Sequence, residues 1–160
     1  MVSDSDTGER MRIDFECNGL LSLLEQVEKL ASDDEIAKVN KKIITRSEPV
    51  VKNIMKGKMP KSADISHSGR GFGSKSSVSE HAADAIPIGN IKMQGTVAST
   101  SVGWEKSDTS EHFYVKFINW GTIYQPPREF IYATGREADD QVTQIAKQEY
   151  QRFLDQTIKQ

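Results

Sequence analysis

Cysteine is almost absent from these 160 residues: Cys17 is the only one. That excludes a disulfide framework and a thiolate metal cage, and it agrees with a reducing, cytosolic compartment. Long apolar runs are missing too. No stretch approaches the roughly 18 residues that a membrane-spanning helix requires, and no signal-peptide pattern is visible, so no membrane partner is expected. Apolar residues make up 36% of the chain and the mean hydropathy is -0.56. Those values are low for a compact monomer, though not low enough for a wholly disordered chain. The length allows one ordinary domain with a single thin core, which points to help from partners.

Charge is scarce in net terms and uneven in distribution. The total is -2, yet residues 33–75 hold ten Lys/Arg against five Asp/Glu, a local +5 that leaves -7 elsewhere. Such asymmetry suits contact with DNA phosphates, head-to-tail packing of unlike patches between copies, or simply a solvated helix face.

Periodicity supplies the elements. Residues 1–10 are polar and acidic, the composition of a disordered tail. Met11, Ile13 and Phe15 alternate with polar residues as in a short edge strand. Asn18-Gly19 then caps a helix carrying Leu20, Leu23, Leu24, Val27, Leu30 and Ala31 at helical spacing. Ser32-Asp33-Asp34-Glu35 is a capping-box pattern opening a second helix, whose stripe runs through Ile36, Val39, Ile43, Ile44, Val50, Val51, Ile54 and Met55. Pro49 falls inside it and predicts a kink or two shorter helices. From 57 to 79, Gly, Ser, Lys and Arg dominate, which predicts a flexible loop. Residues 81–85 fit one helical turn.

A meander of three strands is expected next: 86–93 and 96–104 joined at Gln94-Gly95, then 112–119, where Phe113, Val115 and Phe117 alternate with Tyr114, Lys116 and Ile118. Residues 105–111 form the connecting loop. Trp120-Gly121-Thr122 would end that ladder, and Pro126-Pro127 removes two backbone donors where a strand must stop. A second capping box, Thr134-Gly135-Arg136-Glu137, predicts the start of a last amphipathic helix carrying Ala138, Val142, Ile145, Ala146, Tyr150, Phe153, Leu154 and Ile158. The expected fold class is therefore α+β: an antiparallel sheet of three to four strands packed against N-terminal helices and a long C-terminal helix, one domain over 11–160.

Candidate chemistry gives way to simpler readings. Gly69-Arg70-Gly71-Phe72-Gly73-Ser74-Lys75-Ser76 lacks the glycine before the lysine and the preceding strand that a phosphate loop needs. His67, His81 and His112 lack metal-ligand spacing. Cys17 reads as a small buried hydrophobe rather than a nucleophile. Asp33-Asp34 and Asp139-Asp140 sit in first turns of predicted helices, where the helix dipole accounts for them. Trp104, Tyr114, Trp120 and Tyr124 could stack bases, but strand alternation favours a core or subunit interface. No enzyme, cofactor or metal is expected.

An aromatic strand ending in Trp120-Gly121-Thr122, then Pro127-Arg128-Glu129-Phe130 and a terminal amphipathic helix, resembles the siphophage tail-component family of tail-completion and head–tail joining proteins. His81-Ala82-Ala83-Asp84-Ala85-Ile86 is similar to that family's His-Leu-x-Asp-Ser-Ile segment, and a Ser/Gly-rich loop precedes it in both. The resemblance spans roughly residues 11–158, with a longer Pro-to-Phe spacing and Ile131-Tyr132-Ala133 in place of the usual Arg-Pro-Ala. It implies a virion protein, assembled in the host cytoplasm into a homo-oligomeric, six-fold ring, whose partners are neighbouring neck and tail proteins, with passing contact to packaged DNA. Its interface would draw on Lys58, Lys61, Arg70, Phe72 and Lys75 in the loop, and on Trp120, Gly121, Thr122, Pro126, Pro127 and Phe130 at the corner. The alternative is a small nucleic-acid-binding module using the basic loop and the aromatics.

Overall fold

Two long helices carry the molecule. The computed structural model describes residues 21–158 apart from 64, 66–79 and 106. Its elements are α1 (Leu21–Leu30), α2 (Asp33–Lys58), β1 (Lys92–Gln94), β2 (Val97–Ser99), α3 (Val115–Trp120) and α4 (Phe130–Ile158). The fold is mixed but mostly helical. The expected tail, the edge strand at 11–16 and Cys17 lie outside the described residues.

The start of α2 follows the sequence reading: the Ser32 N–H donates to Glu35 Oε2 at 2.9 Å, and the Ser32 hydroxyl donates to the same oxygen. These two bonds hold the Glu35 carboxyl below its ordinary range. Pro49, expected to kink this helix or divide it into two shorter ones, does not divide it. It lies on the exposed face, where the carbonyl freed by its missing N–H is open to hydration. Ile36, Ile43, Val51 and Met55 meanwhile keep one buried stripe along the whole length.

That stripe meets α4 antiparallel. Near the start of α2, Val27, Ile36 and Ile43 pack with Ala146, Tyr150 and Leu154; midway, Val51 meets Ala138 and Val142. At the far end Met55 and Met59 join Ala82, Ala83, Ile86, Trp104, Val115 and Phe130. The core is therefore a row of three clusters along one helix pair.

The sheet is smaller than expected. Among the described residues it has two strands, β1 and β2, antiparallel with Met93 opposite Ala98, closed by Gly95 at φ +59°. A single bridge, Ile88 to Val102, extends it. Asn40 ties it to the helices by donating to Thr96 O at 2.7 Å while accepting from the Tyr150 hydroxyl. Residues 81–85 do form one turn, with Ala85 N–H donating to His81 O.

The third strand is a helix. Within 112–119, the residues that turn inward are His112, Val115 and Asn119, spaced three and four apart. Phe113 and Phe117, four apart, lie edge to face at 6.2 Å on the other side. Phe117 is 44% exposed rather than inward-facing. The alternation of aromatics carried a period of two, but the residues that meet the core recur at the helical period, and burial decides.

Helix α4 also starts earlier than its predicted cap. It begins at Phe130, and Thr134, buried inside the helix, donates its hydroxyl to Phe130 O at 2.7 Å. The N-terminal cap comes from α3 instead: Asn119 Oδ1 accepts the Ile131 N–H at 3.1 Å. In return, the N–H groups of Arg128 and Glu129 donate to Ile118 O and Asn119 O at the end of α3. Each helix satisfies the loose terminus of the other.

Candidate functional site

The corner between α3 and α4 presents large apolar side chains to water on a backbone that is tightly held. Gly121, at φ +76°, ends α3 and reverses the chain. Thr122 and Gln125 then bridge, with N–H to O distances of 2.8 and 3.3 Å, and the Tyr124 N–H reaches Thr122 Oγ1. Ile123 and Tyr124 form the tip, 90% and 91% exposed. Phe117 and Trp120 of α3 and Tyr132 in the first turn of α4 are exposed as well, and Pro126 and Pro127 complete the loop. Lys116 lies 5.5 Å over the Phe117 ring and Arg136 lies 5.9 Å over Tyr132, so the apolar surface has a cationic rim.

Of the expected interface residues, Trp120, Thr122, Pro126 and Pro127 are exposed here and Gly121 shapes the turn. Phe130 belongs to the core, 2% exposed, with no surface left for a partner. Ile123 escaped the sequence reading, and Tyr124 entered it only among the aromatics weighed for base stacking or for a core or subunit interface. Their signal was available: two large apolar residues between Thr122 and Gln125, where a turn tip ordinarily carries Gly, Asn or Asp.

The basic region has other employment. Lys58 ends α2 inside the expected loop and pairs with Glu137. Lys61 and Lys56 share Asp84, at 3.4 and 2.7 Å, and keep that carboxyl below its ordinary range. Arg70, Phe72 and Lys75, and most of the loop expected at 57–79, lie outside the described residues. Cations engaged in this way make a weaker case for phosphate binding than a count of charges along the sequence.

Lys42 and Arg46 converge with Arg152 on one buried carboxylate, Glu149. Burial works to raise its pKa, but the hydrogen bonds and charges of Lys42 and Arg46 more than offset this and hold it below the ordinary 4.5. Because the folded value is the lower one, this group's contribution to stability is complete above about 4.5 and is lost as pH falls from there through the folded value. Glu149→Gln is expected to cost about 1.5–3 kcal/mol at pH 7. Urea midpoints between pH 7 and 3 should then converge for the two proteins, and parallel profiles would show that the cluster is not what couples pH to stability.

Of the described histidines, His81 is partly buried and His112 fully. His81 receives the Ala83 N–H on Nδ1 at 3.0 Å, and burial followed by the charge of Lys61 lowers its pKa. His112 is buried edge-on against Trp104 and Tyr114. Among the described residues, no group of three or more His, Cys, Asp or Glu side chains is placed to hold a metal ion, and no helix is long and apolar enough to cross a membrane. Comparison with family models, curated proteins and solved structures gave no match.

Proposed function

We propose that this chain is a structural subunit of a phage or prophage virion, acting at the head–tail junction in an oligomeric ring, six-fold by its family resemblance, that completes the tail and joins it to the head. One observation carries the proposal: the Thr122 to Gln125 turn is fixed by its own hydrogen bonds and still leaves Ile123 and Tyr124 in water. Burying a side chain of that size is worth about 1.5–3 kcal/mol. A rigid turn that forgoes this twice is suited to a partner, because little ordering entropy is lost on docking. The mechanism is assembly, with no covalent chemistry.

The test is a phage carrying Ile123→Ser together with Tyr124→Ser. Because both side chains are outside the core, the purified variant should melt like the wild type, while filled heads and completed tails accumulate unjoined. Normal infectious titre from this double variant would sink the proposal. Salt-dependent retention of DNA by the isolated wild-type protein, lost on neutralising its lysines, would favour a nucleic-acid-binding module instead.

A further inference from the structure

The two ends of the helix pair carry opposite charge beside exposed apolar side chains. At the end where α2 finishes and α4 begins, residues 116–136 hold Lys116, Arg128 and Arg136 against Glu129, a net +2 around Phe117, Trp120, Ile123, Tyr124 and Tyr132. At the other end, where α1 turns into α2 and α4 finishes, residues 25–38 hold Glu25, Glu28, Asp33, Asp34 and Glu35 against Lys29 and Lys38, a net -3. These acids are all exposed. Leu30, the last residue of α1, and Ile158, the last of α4, are 53% and 72% exposed, so apolar surface is present there too. Helix α2 separates the ends by about 39 Å, at 1.5 Å for each of its 26 residues.

We infer that copies of this chain associate head to tail, with the basic-rimmed α3–α4 corner of one copy docking on the acidic α1–α2 end of the next. The inference rests on the reading that the chain assembles with itself, and it specifies the surfaces. Charge complementarity selects the occupant: a corner meeting another corner would set positive rims against each other, whereas a corner meeting an acidic end pairs unlike charges and buries apolar surface of both. Because the two patches are different surfaces of one molecule, the contact is heterologous. Such a contact closes into a ring when its rotation divides a full turn.

Charge exchange between the two ends tests this directly. One variant carries Arg128→Glu and Arg136→Glu, the other Glu25→Lys and Glu28→Lys. All four side chains are exposed, so unfolding midpoints should stay near the wild type. In sedimentation at low salt, each variant alone should self-associate at least about tenfold more weakly than the wild type, since like charges then face each other. Mixing the two should restore association, because the reversed corner of one matches the reversed end of the other, and the untouched surfaces match as well. A wild type that stays monomeric at low salt overturns the inference. So does weakening by the first variant while the second associates like the wild type, which is the signature of corner-to-corner dimers. If neither variant matters while the Ile123/Tyr124 variant still blocks particle joining, the assembly function stands and only this polarity is lost.

Discussion

Replacing Phe130 by alanine is expected to lower the unfolding free energy by about 3–5 kcal/mol, while the same change at Phe117 should cost less than about 1 kcal/mol. Phe130 is the largest of the fully buried side chains. It sits where α4 begins and belongs to the cluster that joins Met55 of α2, and Met59 just past its end, to Trp104 and to Val115 of α3. Truncation would leave a cavity where several elements meet, with no single neighbour free to collapse into it. Phe117 is 44% exposed, with an edge-to-face contact to Phe113 and the Lys116 cation over its ring. Urea unfolding of the two variants decides the matter. Equal costs would mean that 112–119 pairs as a strand after all, with Phe117 in the core.

The contrast between those phenylalanines also marks how far the sequence could be read. The stripes of α2 and α4 were legible because they are long, and burial of one face of a long helix leaves a periodic record that survives a Pro49 or a misplaced cap. The capping box at Ser32 was legible because both its partners are three residues apart. The hairpin at Gly95 was legible because a positive φ has few tenants. Each of these signals is local.

What was not legible depends on partners distant in the chain. Within 112–119 the sequence satisfies two periods at once, and only contact with Trp104, Ile86 and Phe130 selects the helix that turns Val115 inward. Thr134 to Glu137 has the letters of a capping box, yet Asn119, twelve residues before Ile131, caps α4 from another helix. For the candidate interface, the sequence led both to the loop cations, which stand out in a count, and to the corner from Trp120 to Phe130. Placement in space then joined Lys58 to Glu137 and Lys61 to Asp84, while Ile123 and Tyr124 at the tip stayed almost fully exposed.

Gly121→Ala is the substitution expected to damage the corner most, at about 2–4 kcal/mol by combining backbone strain with forced contacts. Gly121 sits at φ +76° and ψ 179°, a region that is open essentially to glycine alone. A Cβ placed there would lie 2.6 Å from Gln125 O and 2.7 Å from Pro127 N. Both are backbone atoms, one in the bridge that closes the tip and one in a proline ring that cannot swing away. Gly95→Ala is the control. Its φ of +59° is also positive, but nothing lies within 4 Å of the added carbon, so the cost should be only the left-handed penalty of about 1–2 kcal/mol. If the corner must be rigid to dock, Gly121→Ala should also lose self-association at temperatures where circular dichroism still shows it folded, whereas Gly95→Ala should keep it. Equal stability losses in the two variants would show that the corner yields easily, and the case for a preorganised docking turn would fall with it.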